Sequence, residues 1–97
     1  MIELACLEEV EGSNRERDLV LFALSTCPWC LKARKFLEGN DIAYRYAYVD
    51  LLEGAERAAA VDELKKWNPA KNLPTLVIDD DEVIVGFREP EYQEKLL

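Results

Sequence analysis

Cys27 and Cys30 stand two residues apart in the stretch Ser25-Thr26-Cys27-Pro28-Trp29-Cys30. Thiols at that spacing can interconvert between dithiol and disulfide. The stretch follows an apolar run, Leu19 to Leu24, and precedes a segment with helical patterning. Proline suits the first helical position, because its fixed φ matches the helix and its missing N–H has no intrahelical partner there. Cys27 is therefore predicted to cap a helix, with Cys30 inside the first turn. Side chains three apart on a helix lie roughly 5–6 Å apart at Cβ, close enough to need only small adjustment for a disulfide. Orphan N–H groups at the helix start and the macrodipole both favour a thiolate on Cys27. The dipole contributes up to about 2 kcal/mol, and direct N–H···S hydrogen bonds must supply any further lowering of the thiol pKa. Cys27 is accordingly read as the attacking thiolate and Cys30 as the resolving thiol.

The elements that must position this pair follow from hydrophobic patterning. Residues 2 to 10 alternate imperfectly and are read as an edge strand, followed by a polar turn from Glu11 to Asp18. Leu19 to Leu24 has the near-continuous apolar character of a central strand covered on both faces. A helix is predicted from Pro28 to about Glu38, with Leu31, Phe36 and Leu37 toward the core, ended by Gly39-Asn40. Ala43 to Val49 reads as a strand whose Tyr44, Tyr46 and Tyr48 share one face as packing groups. From Glu53 to Trp67 a second helix shows Ala60, Val61, Leu64 and Trp67 on one side, and Asn68-Pro69 stops it. Pro74 to Ile78 and Glu82 to Val85 read as a hairpin around Asp79-Asp80-Asp81, a solvated turn. A short last helix is expected from Glu91 to Leu97. The order implies an α/β domain, a βαβ unit with parallel strands followed by an antiparallel hairpin.

Length and charge narrow the function. Ninety-seven residues are enough for one domain that needs neither disulfide nor metal to fold. No apolar run approaches the roughly 20 residues of a membrane span. Glu3, Glu8 and Glu9 replace the basic start and apolar core of a signal peptide, so an uncleaved cytoplasmic protein is expected. In a reducing compartment a CxxC is catalytic or metal-binding more often than a structural staple. The net charge of −8 argues against a nucleic-acid partner. Lys32, Arg34 and Lys35 form the only local basic group; a solvated helix face is the first reading and the docking of an anionic partner the second. Cys6, the odd cysteine, is read as a small buried hydrophobe.

Cys27-Pro28-Trp29-Cys30 after a strand, Pro74 at the start of a later strand and Gly86 beyond the next resemble a dithiol glutaredoxin of the thioredoxin-fold superfamily. The resemblance covers about Asp18 to Leu97. It implies a domain over residues 18–97 with a four-stranded mixed sheet and helices on both faces; residues 1–17 lie outside it, an N-terminal extension whose own alternation is read as an added edge strand. It also implies a cis peptide before Pro74 that lies against the cysteines, with the backbone of Leu73 turned to the active site and ready to pair with an extended substrate strand. Substrate contacts are implied at Pro28, Trp29, Leu73, Pro74, Gly86, Phe87 and Arg88. No bound cofactor is implied; protein disulfides are the substrates, glutathione or thioredoxin reductase is the electron donor, and the protein is a monomer.

This chain departs from the glutathione-using pattern in three places. Ser25 stands where a lysine is common, Asn72-Leu73-Pro74 replaces Thr-Val-Pro, and Gly86 is followed by Phe87, Arg88 and Glu89 instead of a second glycine and an aspartate. Gly86-Phe87-Arg88 is similar instead to glutaredoxin-like proteins that reduce ribonucleotide reductase and take electrons from thioredoxin reductase, which usually lack a tryptophan at position 29. Arg88 has two readings, a carboxylate anchor or a salt bridge holding the last turn, and the structural one is favoured. Two other functions compete. A zinc or iron-sulfur module is disfavoured because structural zinc takes four Cys or His ligands and the chain has three Cys and no His. A thioredoxin-fold interaction module without turnover is disfavoured by the presence of both cysteines and the proline.

Overall fold

Leu19, Val20, Leu21, Phe22 and Ala23 are buried to the last side chain, and the rest of the fold is arranged about the strand they form. The computed structural model describes residues 2–97, so Met1, the first residue of the expected extension, lies outside the described residues. The elements run β1 (Glu8–Val10), β2 (Leu19–Ala23), α1 (Pro28–Gly39), β3 (Tyr44–Tyr48), a 3-10 turn (Val49–Leu51), α2 (Gly54–Trp67), β4 (Thr75–Ile78), β5 (Glu82–Val85) and α3 (Glu89–Leu96). They build a five-stranded sheet ordered β1-β3-β2-β4-β5. β2 pairs parallel with β3, Leu21 opposite Tyr46, and antiparallel with β4, Leu21 opposite Leu76. β5 pairs antiparallel with β4, and β1 antiparallel with β3. The four-stranded mixed sheet that the resemblance implied is present, and β1 adds the fifth strand at its edge.

Alternation along β2 splits the core in two. Leu19, Leu21 and Ala23 face α1 and α3, packing with Cys30, Ala33 and Leu37 of α1 and with Tyr92 and Leu96 of α3. Val20 and Phe22 face the other way, packing with Leu64 of α2, Val77 and Ile2. Each fully buried aliphatic or aromatic side chain favours folding by about 1.5–3 kcal/mol over its exposed state, so a strand buried on both faces anchors both helix layers.

The N-terminal strand is shorter than expected. A turn at Ala5-Cys6 closed by the Leu7 N–H on the Leu4 carbonyl, 3.3 Å, breaks the segment, and only Glu8–Val10 pairs. Cys6, sitting in that turn, is half-buried instead of buried. The polar stretch after β1 is tied down as well: Asn14 bridges to Ile42, its N–H donating to the Asp41 carbonyl at 3.0 Å and its carbonyl accepting from the Ala43 N–H at 2.9 Å.

Two further expectations change on α1. Leu31 points outward, 50% exposed, and Ala33 takes its place on the buried stripe with Cys30 and Leu37. Positions 30, 33 and 37 follow the helical period, and residue 31 lies about 100° round from 30. Arg34 is not a solvated cation. Its guanidinium donates to the hydroxyls of Tyr44 and Tyr48, 2.8 Å each, lies 4.0 Å from the Tyr46 ring centroid and pairs with Glu38 at 3.3 Å. The tyrosine face of β3 is thus a packing face with a cation built into it. The last helix begins at Glu89, two residues before the expected start, with Pro90 in its first turn, where a missing N–H costs nothing.

Candidate active site

The carboxyl ends of the parallel strands β2 and β3 meet at one edge, where open α/β sheets place their ligands, and the cysteines are built there. Beyond Ala23 the chain turns: the Cys27 N–H donates to the Leu24 carbonyl at 3.3 Å. The turn is tied to the end of β3, since the Ser25 N–H and hydroxyl donate to the two carboxylate oxygens of Asp50 at 2.9 and 2.5 Å. The Ser25 hydroxyl, then its N–H, hold the Asp50 carboxyl below the usual range. Cys27 is the N-cap of α1 in an extended conformation, φ −92° and ψ 119°, with Pro28 opening the helix, as the spacing predicted.

The two thiols differ in environment. Cys27 is half-buried and its Sγ accepts from the Cys30 N–H at 3.4 Å. Burial works to raise its pKa, but hydrogen bonds from the Cys30 thiol and from the Cys30 and Trp29 N–H groups outweigh it, and the thiol is held below its ordinary value. Cys30 is fully buried, and its Sγ accepts from the Leu24 N–H at 3.4 Å. Burial pushes its thiol up to about 12, against the Leu24 hydrogen bond; its own hydrogen bond to Cys27, the charge on Cys27 and the more distant charge of Asp50 push the same way as burial. A more acidic, reachable thiol thus stands beside a less acidic, enclosed one.

The Leu73–Pro74 peptide is cis, as the resemblance implied. Pro74 is buried, and its carbonyl accepts from the Gly86 N–H at 2.7 Å. Gly86 has φ +79°, in the left-handed region that glycine enters without a Cβ penalty. Upstream, Asn68 donates to the Asn72 carbonyl at 3.0 Å and the Thr75 hydroxyl at 3.2 Å, while that hydroxyl donates to Asn72 at 2.6 Å. Sequence reading passed over this buried network, which holds the approach to Pro74. Asn68 and Thr75 stand seven residues apart on either side of Pro74, and no local pattern in the sequence marked them as partners. Leu73 is half-buried and packs on both core layers.

Trp29 and Phe87, predicted substrate contacts far apart in sequence, line a single open groove of about 430 Å³ with Lys32, Lys35, Phe36 and Glu89. Arg88 stands outside it: its Nε donates to the Val85 carbonyl at 3.2 Å and faces the Glu91 carboxylate at 3.5 Å. A second cleft, about 340 Å³, lies at the opposite end of the sheet near Leu19 and Tyr44. Cys6 lies apart, its thiol pushed up by burial and by Glu56 against a backbone hydrogen bond. No group of three or more Cys, His, Asp or Glu side chains placed to hold a metal comes together among the described residues.

A βαβ start, an antiparallel hairpin and helices on both faces, with the CxxC where the first central strand gives way to a helix, define the thioredoxin-like class of folds. Residues 19–84 match the family model for glutaredoxin, and the chain belongs to the glutaredoxin family. It is similar to the glutaredoxin of Methanosarcina mazei Go1, at 40% identity and a TM-score of 0.84 over 93% of this chain and 86% of that one. It is also similar to Methanosarcina acetivorans methanoredoxin, at 36% identity and a TM-score of 0.83 over 88% of each chain. A probable maleylacetoacetate isomerase of Caenorhabditis elegans is 32% identical over 83 residues, and the chain spans 36% of that protein's length.

Proposed function

We propose that this protein is a dithiol thiol-disulfide oxidoreductase that reduces protein disulfides, with Cys27 as nucleophile and Cys30 as resolving thiol. The observation that carries the reading is the asymmetry of the pair: Cys27 caps a helix and accepts N–H hydrogen bonds, while Cys30 lies enclosed behind it. The Cys27 thiolate attacks one sulfur of the substrate disulfide, forming a mixed disulfide and expelling the other sulfur as a thiolate that takes a proton from water. Cys30 then loses its proton and attacks Cys27 Sγ, releasing the second substrate thiolate and closing the Cys27–Cys30 disulfide. Two electrons pass to the substrate. Burial holds the Cys30 proton first, but its hydrogen bond to Cys27 and the Cys27 charge vanish once Cys27 is in the mixed disulfide. The Cys30 thiol is thereby made more acidic at the step that needs its thiolate, although burial still holds it up.

Residues 18–97 form the working unit and residues 1–17 an extension to it. Pro28, Leu73, Pro74 and Gly86 frame the substrate strand, Trp29 and Phe87 contact it, and Arg88 serves the last helix turn more than the substrate. Glutathione or thioredoxin reductase returns the electrons to the oxidised pair; no cofactor stays bound, and the protein works as a cytoplasmic monomer. Cys27→Ser is expected to abolish turnover and Cys30→Ser to accumulate mixed disulfides on mass spectrometry. Full dithiol activity in Cys30→Ser contradicts the assigned roles. Reduction of the oxidised pair by glutathione with glutathione reductase, beside thioredoxin reductase, each with NADPH, identifies the donor.

A further inference from the structure

The groove that Trp29 opens is lined by three aromatic and three charged side chains. Trp29 is 56% exposed, and Phe36 and Phe87 pack with ring centroids 6.1 Å apart. Lys32 holds its ammonium 4.3 Å from the Trp29 ring centroid, Lys35 lines the groove one helix position before Phe36, and Glu89, at the start of α3, lines it too. Among the described residues neither lysine enters an ion pair; Arg57, Lys65 and Lys71, which do not line the groove, have none either, whereas the other seven basic side chains all do. The chain carries 20 acidic residues against 12 basic ones. Lys32 and Lys35, neither held by a carboxylate, line the same groove as the exposed Trp29, two residues after Cys27 in the chain, and form a local positive site on a negative protein.

We infer that this groove seats the polypeptide segment flanking the target disulfide, and that Lys32 and Lys35 select segments bearing Asp or Glu while the three rings take an apolar neighbour. This deepens the oxidoreductase reading and rests on it. Lys32 lies over the ring of Trp29, one of the two residues between the cysteines. An acidic side chain near the substrate disulfide can therefore meet the lysines while the sulfur meets Cys27. Glu89, which also lines the groove, disfavours an acid beside it, so the preference concerns one or two carboxylates, not general acidity.

The test uses three disulfide-linked peptide substrates, identical except for two flanking residues that are Glu, Gln or Lys. Reduction by the full chain is followed at about 20 mM and 500 mM salt. Exposed ion pairs are individually weak, so two lysines give a kcat/KM about fivefold higher for the Glu peptide than for the Gln peptide at low salt. High salt, with a Debye length of only a few ångström, removes most of that preference. Lys32→Glu/Lys35→Glu is expected to reverse the order in favour of the Lys peptide, and Lys32→Gln/Lys35→Gln to level it; circular dichroism checks that both fold. Equal kcat/KM for the three peptides, or an unchanged order in the double variants, overturns the inference. So does an effect of the variants confined to glutathione disulfide, which assigns the groove to a small anionic disulfide. Failure of the wild type to reduce any of the peptides overturns the oxidoreductase reading itself, a result distinct from reduction without charge preference.

Discussion

Tyr92 offers a test whose sign runs against the usual effect of a core substitution. Its ring is fully buried and meets Phe36 and Phe87 edge-on, at 5.6 Å and 84° and at 5.0 Å and 82°, while its hydroxyl has no hydrogen-bond partner among the described residues. Burial, then the nearby Cys30, push that phenol above its ordinary pKa. A buried hydroxyl left unpaired costs about 1–3 kcal/mol in desolvation. Tyr92→Phe removes that cost and keeps both ring contacts. The hole left by one oxygen, on the order of 10 Å³, returns only about 0.2–0.3 kcal/mol at about 24 cal/mol per Å³. The variant is therefore expected to be more stable by about 1 kcal/mol. For a domain of this size that raises Tm by about 4–8 °C, read by calorimetry and by the urea midpoint of the reduced protein. A loss of 1 kcal/mol or more refutes the reasoning, for it would mean that the hydroxyl has a partner, with the Cys30 sulfur or an enclosed water as the candidates.

Three other perturbations address the frame of the site. Arg34→Leu removes two hydrogen bonds to tyrosine hydroxyls, the stacking on Tyr46 and the Glu38 pair, and urea unfolding should show a loss of about 2–4 kcal/mol; Arg34→Lys should recover less than half, because an ammonium cannot span both hydroxyls with one planar fork. Gly12→Ala places a Cβ 2.6 Å from the Ala43 nitrogen and the Ile42 carbonyl carbon, backbone atoms that cannot swing away, and about 1–3 kcal/mol of stability should be lost. In the reduced protein, burial raises the Cys30 thiol from 9.0 to about 12, so the native state keeps a proton that the unfolded chain gives up. The resulting stability is present below about pH 9 and lost as pH rises toward 12, with a slope of up to about 1.36 kcal/mol per pH unit. The urea midpoint of the reduced wild type should therefore fall more steeply across that window than that of Cys30→Ser, and parallel curves would count against the raised thiol.

Periodicity exposed the elements that bury whole faces and lost the contacts that join them. The apolar run at Leu19 to Leu24, the proline after Cys27 and the hairpin around three aspartates were legible because each is a local rule. Helical period could not fix the phase of α1, where Ala33 is buried in place of the larger Leu31, since a small residue gives little hydrophobic signal even at the centre of the stripe. Irregular segments carry no period at all, so nothing marked Ile2, 3% exposed, as part of the α2-side core. The Asp79 carboxylate looked like part of a solvated turn, yet it accepts from Arg17 and from the Asp18 N–H, both at 2.8 Å, across more than 60 residues. Ser25 shows the same limit at the site itself. Its sequence position advertised only a missing lysine, whereas its N–H and hydroxyl clasp Asp50 and fix the turn that delivers Cys27 to the helix start. A departure from a family pattern is thus visible in the sequence as a lost contact, but the contact that replaces it becomes visible only when the end of β3 is brought beside the end of β2.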